Sequence, residues 1–395
     1  MKPATKQLSA VTQLIILVAV FAAAYLTPFS NPRVQRSILE AFQLVSEYAR
    51  EHVLLCLVPA FFIAGAIMVF LNQQAVIRYL GPDAPKPIAY SVASVSGAVL
   101  AVCSCTVLPL FKGIFRKGAG LGPAVAFLYS GPAINILAVV LTAKVLGPEL
   151  GIARAVGAIL FALVIGLAMS LIYRREDRDR VTNAAMFQTQ GAEDGRSLGQ
   201  SATHLASMIG ILVFLNWPAA GGTDSAWQWI HLHRFWITAG FFIVLGYALI
   251  RWYTNEELAQ WVRASRDFGL QIAPLLFAGV MVAGLLFGRP GHPALIPEEW
   301  VAGLVGGNSA LANLVAAVAG ALMYLATLTE VPILQGLLGA GMGKGPALAL
   351  LLAGPSLSLP SILVISGELG WRKTGVYVLL VVGFSTIAGM IYGAV

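Results

Sequence analysis

Residues 103–138 read CSCTVLPLFKGIFRKGAGLGPAVAFLYSGPAINILA, and residues 329–360 read TEVPILQGLLGAGMGKGPALALLLAGPSLSLP. Worked outward, residues 97–147 align with 320–370 without a gap at a constant offset of 320 − 97 = 223, with 16 identities in 51 positions. Ten of the sixteen are glycine or proline, among them Gly97/Gly320, Pro109/Pro332, Gly113/Gly336, Gly122/Gly345, Pro123/Pro346, Gly131/Gly354 and Pro132/Pro355. Apolar helices share leucine and alanine by chance, but glycine and proline dictate backbone shape, so matched punctuation implies a matched fold. Upstream, Ala64 and Gly65 pair with Ala278 and Gly279 at an offset of 279 − 65 = 214. An amphipathic stretch precedes each half, so the chain reads as two homologous repeats of about five helices.

Composition says where such a fold lives. The 395 residues are 58% hydrophobic and 11% charged with a mean hydropathy of +0.81, against about 25% charged in ordinary globular domains. The expected fold is all-α, a polytopic transmembrane bundle of about 10–11 spans with broken helices near the midplane. Apolar runs of spanning length fall at roughly 8–29, 53–71, 88–111, 123–143, 151–173, 203–217, 235–253, 268–288, 310–334, 346–366 and 374–394. Residues 33–52 read as an amphipathic, interfacial helix. Residues 1–173 form the first repeat, 174–200 a hydrophilic cytoplasmic linker, 201–231 an extra span and outer loop, and 232–395 the second repeat. Alternation puts Lys112, Arg116, Lys117 and the Arg251 to Arg266 cluster on the linker's side, with Trp227, Trp229, Glu298 and Glu299 opposite, as the positive-inside bias requires. The same alternation puts the N-terminus outside, against Lys2 and Lys6. The sequence leaves open whether the repeats are parallel or inverted.

Several functions are excluded at this level. The net charge of +7 lies in short clusters between apolar runs, not in an aromatic-interleaved patch, so no nucleic acid is expected as a partner. Cys56, Cys103 and Cys105 are the three cysteines, too few for a disulfide framework. The run from Leu8 to Phe29 is expected to be a retained helix rather than a cleaved signal. P-loop, HExxH and GxSxG patterns do not occur, no cofactor or metal is expected, and His204, His231, His233 and His292 read as interfacial.

Three constellations could carry chemistry. In Cys103-Ser104-Cys105-Thr106-Val107-Leu108-Pro109, the proline leaves the Cys105 carbonyl without a helical partner. The helix is expected to open there, letting two thiols that an intact helix would separate converge on one soft ion or metalloid, with Ser104 and Thr106 adding hydroxyls. Buried free cysteine also serves as a small apolar residue. The counterpart, residues 326–332, keeps Thr327, Thr329 and Pro332 and adds Glu330 just before the proline. A carboxylate inside an apolar span marks an ion or proton pathway; the bland alternative is hydration near the helix end or pairing with Lys112. The third constellation sets Gly131, Pro132 and Asn135 against Gly354, Pro355 and Ser358, where Gly-Pro in mid-span breaks each helix in two and frees N–H groups for a polar solute. Gly113, Gly118, Gly120 and Gly122, with Gly339, Gly341, Gly343 and Gly345, read as turns and candidate hinges.

At residues 103–138 and 329–360 the sequence resembles the predicted permease family that includes the YraQ-type proteins and the ArsP organoarsenical efflux permeases, a resemblance covering roughly Glu40 to Val395. It implies a multi-pass permease of the cytoplasmic membrane, not an enzyme. The family's motif positions fall here on Cys103, Cys105, Pro109, Gly131, Pro132, Asn135, Glu330, Pro332, Gly354 and Pro355. The expected function is a secondary, proton-coupled exporter of a small molecule or ion, with a trivalent organoarsenical as one candidate cargo. Glu330 would carry the proton; Cys103, Ser104, Cys105, Thr106, Gly131, Pro132, Asn135, Thr327, Thr329, Gly354, Pro355 and Ser358 would bind the substrate. A membrane thiol oxidoreductase using Cys103 and Cys105 and a passive channel are the alternatives. The lipid bilayer is the expected surrounding, and homo-oligomerisation is left open.

Overall fold

A computed structural model describes residues 21, 25, 27–70, 73–99, 104–187, 198–217, 225–289, 292, 295, 303–323, 330–339 and 341–394. Cys103, Thr327 and Thr329, and the predicted span at 8–29 but for Phe21, Tyr25 and its last residues, lie outside them, as do the side chains of Cys56, Ser104 and Cys105. The described chain is helical throughout: α1 (Pro32–Tyr48), a π-helical segment (Ala49–Leu57), α2 (Val58–Phe70), α3 (Gln73–Leu80), α4 (Lys86–Val99), α5 (Ser104–Arg116), α6 (Leu121–Ala133), α7 (Ile136–Val145), α8 (Pro148–Ile172), α9 (Arg174–Phe187), α10 (Leu198–Leu215), α11 (Ser225–Trp252), α12 (Asn255–Phe287), α13 (Ala310–Leu322), α14 (Glu330–Gly339), α15 (Lys344–Ala353), α16 (Leu359–Leu369) and α17 (Trp371–Ala394).

Helix starts fall at the spacing the sequence pairs: 344 − 121, 359 − 136 and 371 − 148 are each 223. The backbone follows suit, left-handed at Gly118 and Gly341 and again at Gly147 and Gly370, conformations that glycine alone adopts at little cost. Packing also matches, with α6 on α8 and α4 on α6 as α15 is on α17 and α13 on α15.

Among the described residues, four helices are long and apolar enough to cross a membrane, or six if two bent pairs each count as one. α8, with 25 residues, is about 37 Å long and exceeds a hydrocarbon core of about 30 Å, so its ends mark opposite faces. At its C-terminal end, the Asp177 carboxylate accepts from the Leu121 N–H at 2.7 Å and Glu176 pairs with Lys373 at 2.9 Å. At its N-terminal end, Glu149 lies 3.8 Å from Lys344. Helix α6 therefore starts at one face and α15 at the other, and α17 runs opposite to α8. The equivalent segments are inverted, which decides the orientation the sequence leaves open. The Lys373 ammonium also holds the exposed Glu176 carboxyl below the usual carboxylate range.

Two predicted spans do not cross. The Gly120 N–H donates to the Leu80 carbonyl at 2.6 Å, so the outer ends of α4 and α5 meet at one face; the Gly343 N–H donates to Val305 at 3.1 Å, and Gly306 bridges Met342, so those of α13 and α14 meet at the opposite face. α4 with α5, and α13 with α14, thus leave from and return to one face as re-entrant legs of 14, 13, 13 and 10 residues, none of which reaches beyond about 20 Å. Hydropathy counts them as spans because their residues are apolar; α5 is buried against α2 and α6, whereas α4 and α13 keep an exposed face that includes Ile88, Val92, Leu311 and Leu314. Residues 33–52 do not form a separate surface helix either. α1 continues through the π-helical segment into α2 with a 48° bend, packs along α12, and is tied to its far end by Glu40 and Arg289 at 2.8 Å.

Candidate functional site

The helix that resumes after each Gly-Pro break packs on a helix of the opposite half. Helix α7, resuming after the first break, packs on the returning hairpin leg α14; α16, resuming after the second, packs on the returning leg α5. The breaks follow their Gly-Pro pairs: α6 runs through Gly131 and Pro132 to Ala133 and α7 starts at Ile136, bent by 43°, whereas α15 ends at Ala353 just before Gly354 and Pro355 and α16 starts at Leu359. All four Gly-Pro residues are buried. Asn135 and Ser358 precede the resumed helices, both buried. The Ser358 hydroxyl is engaged in a reciprocal cap, accepting from the Ser361 N–H at 3.3 Å while the Ser361 hydroxyl accepts from the Ser358 N–H at 2.8 Å.

Tyr129 marks the centre. Its hydroxyl donates to the Leu352 carbonyl at 3.0 Å, and 352 − 129 = 223, so a position touches its own counterpart and the pseudo-two-fold axis passes there. Ser356 donates to the Tyr129 carbonyl at 3.4 Å and Tyr377 to the Ser356 carbonyl at 3.5 Å.

Glu330 opens α14 and is fully buried, at 0% exposure. Its partner is Arg154 of α8, likewise at 0%, whose guanidinium donates to Glu330 and, at 2.8 Å, to the Thr142 hydroxyl of α7. The readings of Glu330 as a hydrated helix end and as a partner of Lys112 are both corrected. Lys112 sits in α5 and pairs with Glu368 of α16 at 2.5 Å, joined by Arg116 at 2.7 Å. Each crossing of one half on the other is thus held by an ion pair. Arg154 is the buried charge that the sequence reading missed, although a lone arginine within the apolar run 148–172 satisfies the criterion that singled out Glu330.

The prolines act differently from expectation. Pro109 lies inside α5, which runs unbroken from Ser104 to Arg116, so the helix does not open there. Pro332 lies in the first turn of α14, where an N–H would have no helical partner anyway. Thr106 is buried on the same leg. Gly113, Gly122 and Gly345 lie within helices rather than turns. His204 is a core residue, at 1% exposure, bonded to Tyr253 at 2.5 Å and packed among Phe70, Tyr253 and Trp261.

Residues 38–394 match a family model described as a predicted permease. The chain is 43% identical over 355 residues to the UPF0718 protein MJ0584 of Methanocaldococcus jannaschii, covering 89% of this chain and 94% of that one. It is 26% identical over 264 residues to the UPF0718 protein YraQ of Escherichia coli strain K12, covering 67% and 56% respectively. No solved structure matches.

Proposed function

We propose, from the premise that this chain belongs to the predicted permease family, that it is a secondary carrier moving a small solute across the cytoplasmic membrane by alternating exposure of the region between its inverted halves. The observation that carries this reading is the pairing of two re-entrant hairpins with two broken helices at equal spacing and opposite orientation. Irregular backbone at membrane depth is sustained where it lines a solute site, and inverted repeats give a carrier two facing states of similar energy. The face bearing Lys112, Arg116, Arg174, Arg175, Arg178, Arg180 and Lys373 is the cytoplasmic one by the positive-inside rule.

Glu330 is the proton-carrying group in this reading, since of the two carboxylates at the crossings, Glu330 and Glu368, it is the one with no exposure at all. The Cys-x-Cys pair Cys103 and Cys105 of the sequence makes a thiophilic metalloid, such as a trivalent organoarsenical, the cargo to try first. Uptake of methylarsenite and arsenite into everted vesicles, with and without a pH gradient, tests the proposal. Uptake should require the gradient, fall at least tenfold in Glu330→Gln, and lose metalloid selectivity in Cys103→Ser/Cys105→Ser. Flux that persists undiminished without any gradient and in Glu330→Gln would mark a passive channel. Intact flux in the thiol variant with loss of a dithiol redox activity would mark an oxidoreductase.

A further inference from the structure

Arg154 and Glu330 are both fully buried and each keeps one polar atom, Nε and Oε2, without a hydrogen-bond partner among the described residues. A buried pair that served only to hold two helices would have its remaining donors and acceptors satisfied, because an orphaned charged atom in low dielectric is costly. The charge count constrains what can happen here. With Glu330 ionised the pair is neutral. A proton on Glu330 would leave the guanidinium as an unbalanced buried charge, and the N-terminus of α14, where Glu330 sits, adds positive potential. A cation replacing the proton would lie against Arg154 and be repelled by it.

We propose that Arg154 is a substrate-binding residue and that it and Glu330 form a charge-balanced site which takes up one small monoanion together with one proton. The proton goes to the Glu330 carboxylate, the guanidinium leaves it for the anion, and the net charge of the site stays at zero in both states. This rests on the reading of Glu330 as the proton carrier and adds the charge class of the cargo, metalloid oxyanions included.

Among the described residues, the surroundings supply no competing counter-charge. Tyr129 of α6 is the titratable neighbour of Arg154, with Tyr377 of α17 beside it. Lys144 of α7, Glu149 of α8, Lys344 of α15 and Tyr392 of α17 lie toward the face where α8 begins, with Glu149 and Lys344 paired. Lys86 and Tyr90 of α4 and the charges of α9 lie toward the opposite end of α8. Thr142 completes the cradle as a neutral acceptor: its hydroxyl oxygen takes an Arg154 N–H at 2.8 Å while its own proton goes to the Ala138 carbonyl at 2.7 Å.

Equilibrium thermal unfolding of the purified full chain in detergent tests this without any transport assay, so that its failure is separable from failure of the carrier reading. Nitrate, formate and chloride are compared with gluconate at constant ionic strength. Glu330→Gln should gain an anion-dependent rise in Tm of about 2 °C per tenfold increase in anion above saturation. The wild type should gain the same response as pH falls, which keeps the test valid if the variant folds poorly, and Arg154→Gln/Glu330→Gln should show none. Equal indifference of the wild type and Glu330→Gln to all three anions, or a response retained in the double variant, would overturn the proposal and leave a structural ion pair.

Discussion

At the scale of single residues, the Arg154–Glu330 pair dominates the energetics because neither group reaches solvent. Removing one partner strands the other as an unpaired buried charge, whereas removing both and filling the space with apolar atoms is often close to neutral. Arg154→Met should therefore cost about 3–5 kcal/mol, and Arg154→Met/Glu330→Leu should recover most of that loss, as measured by denaturant or thermal unfolding in a fixed detergent. Equal destabilisation in single and double variants would mean that the two charges are not energetically coupled. The sequence showed both residues as charges in apolar runs but could not show that they meet, since 330 − 154 = 176 residues of chain separate them and lone intramembrane charges have several candidate partners. Lys112, the partner considered for Glu330, is instead joined to Glu368.

At the scale of elements, glycines set how closely helices approach. A Cβ on Gly166 would lie 2.8 Å from the Gly122 carbonyl oxygen, and one on Gly389 would lie 2.7 Å from that of Gly345. The offset recurs, since 345 − 122 and 389 − 166 are both 223, so α6 crosses α8 and α15 crosses α17 at equivalent small-residue contacts. Such contacts drive helix association in lipid, where apolar burial between helices gains little over burial in acyl chains. Gly389→Ala must push α17 away from α15 and from the Asn313 side chain, 2.2 Å from the added atom, and should lower stability by about 1–3 kcal/mol, read as a drop in Tm. A neutral result would show that the crossing has slack. Gly122 and Gly345 stood out in the sequence as turn and hinge material; their role inside helices depends on what faces them.

At the scale of the whole molecule, the inversion predicts labelling. Single cysteines placed on a cysteine-free background at Lys373 and at Lys344 should react with an impermeant maleimide from opposite sides of intact and everted vesicles. Labelling of both from one side would refute the inverted arrangement. The sequence by itself determined the membrane class, through its scarcity of charge, and the spacing of the doubled helices, through glycine and proline, whose effects on φ and on hydrogen bonding act within a few residues. Only the tertiary structure decided that two apolar runs turn back, that the halves are inverted, and that Arg154 rather than Lys112 neutralises Glu330. A run of about 20 apolar residues satisfies lipid and protein surroundings equally, so which of the two encloses it, and which distant charge it meets, is fixed by packing between segments and not by any segment alone.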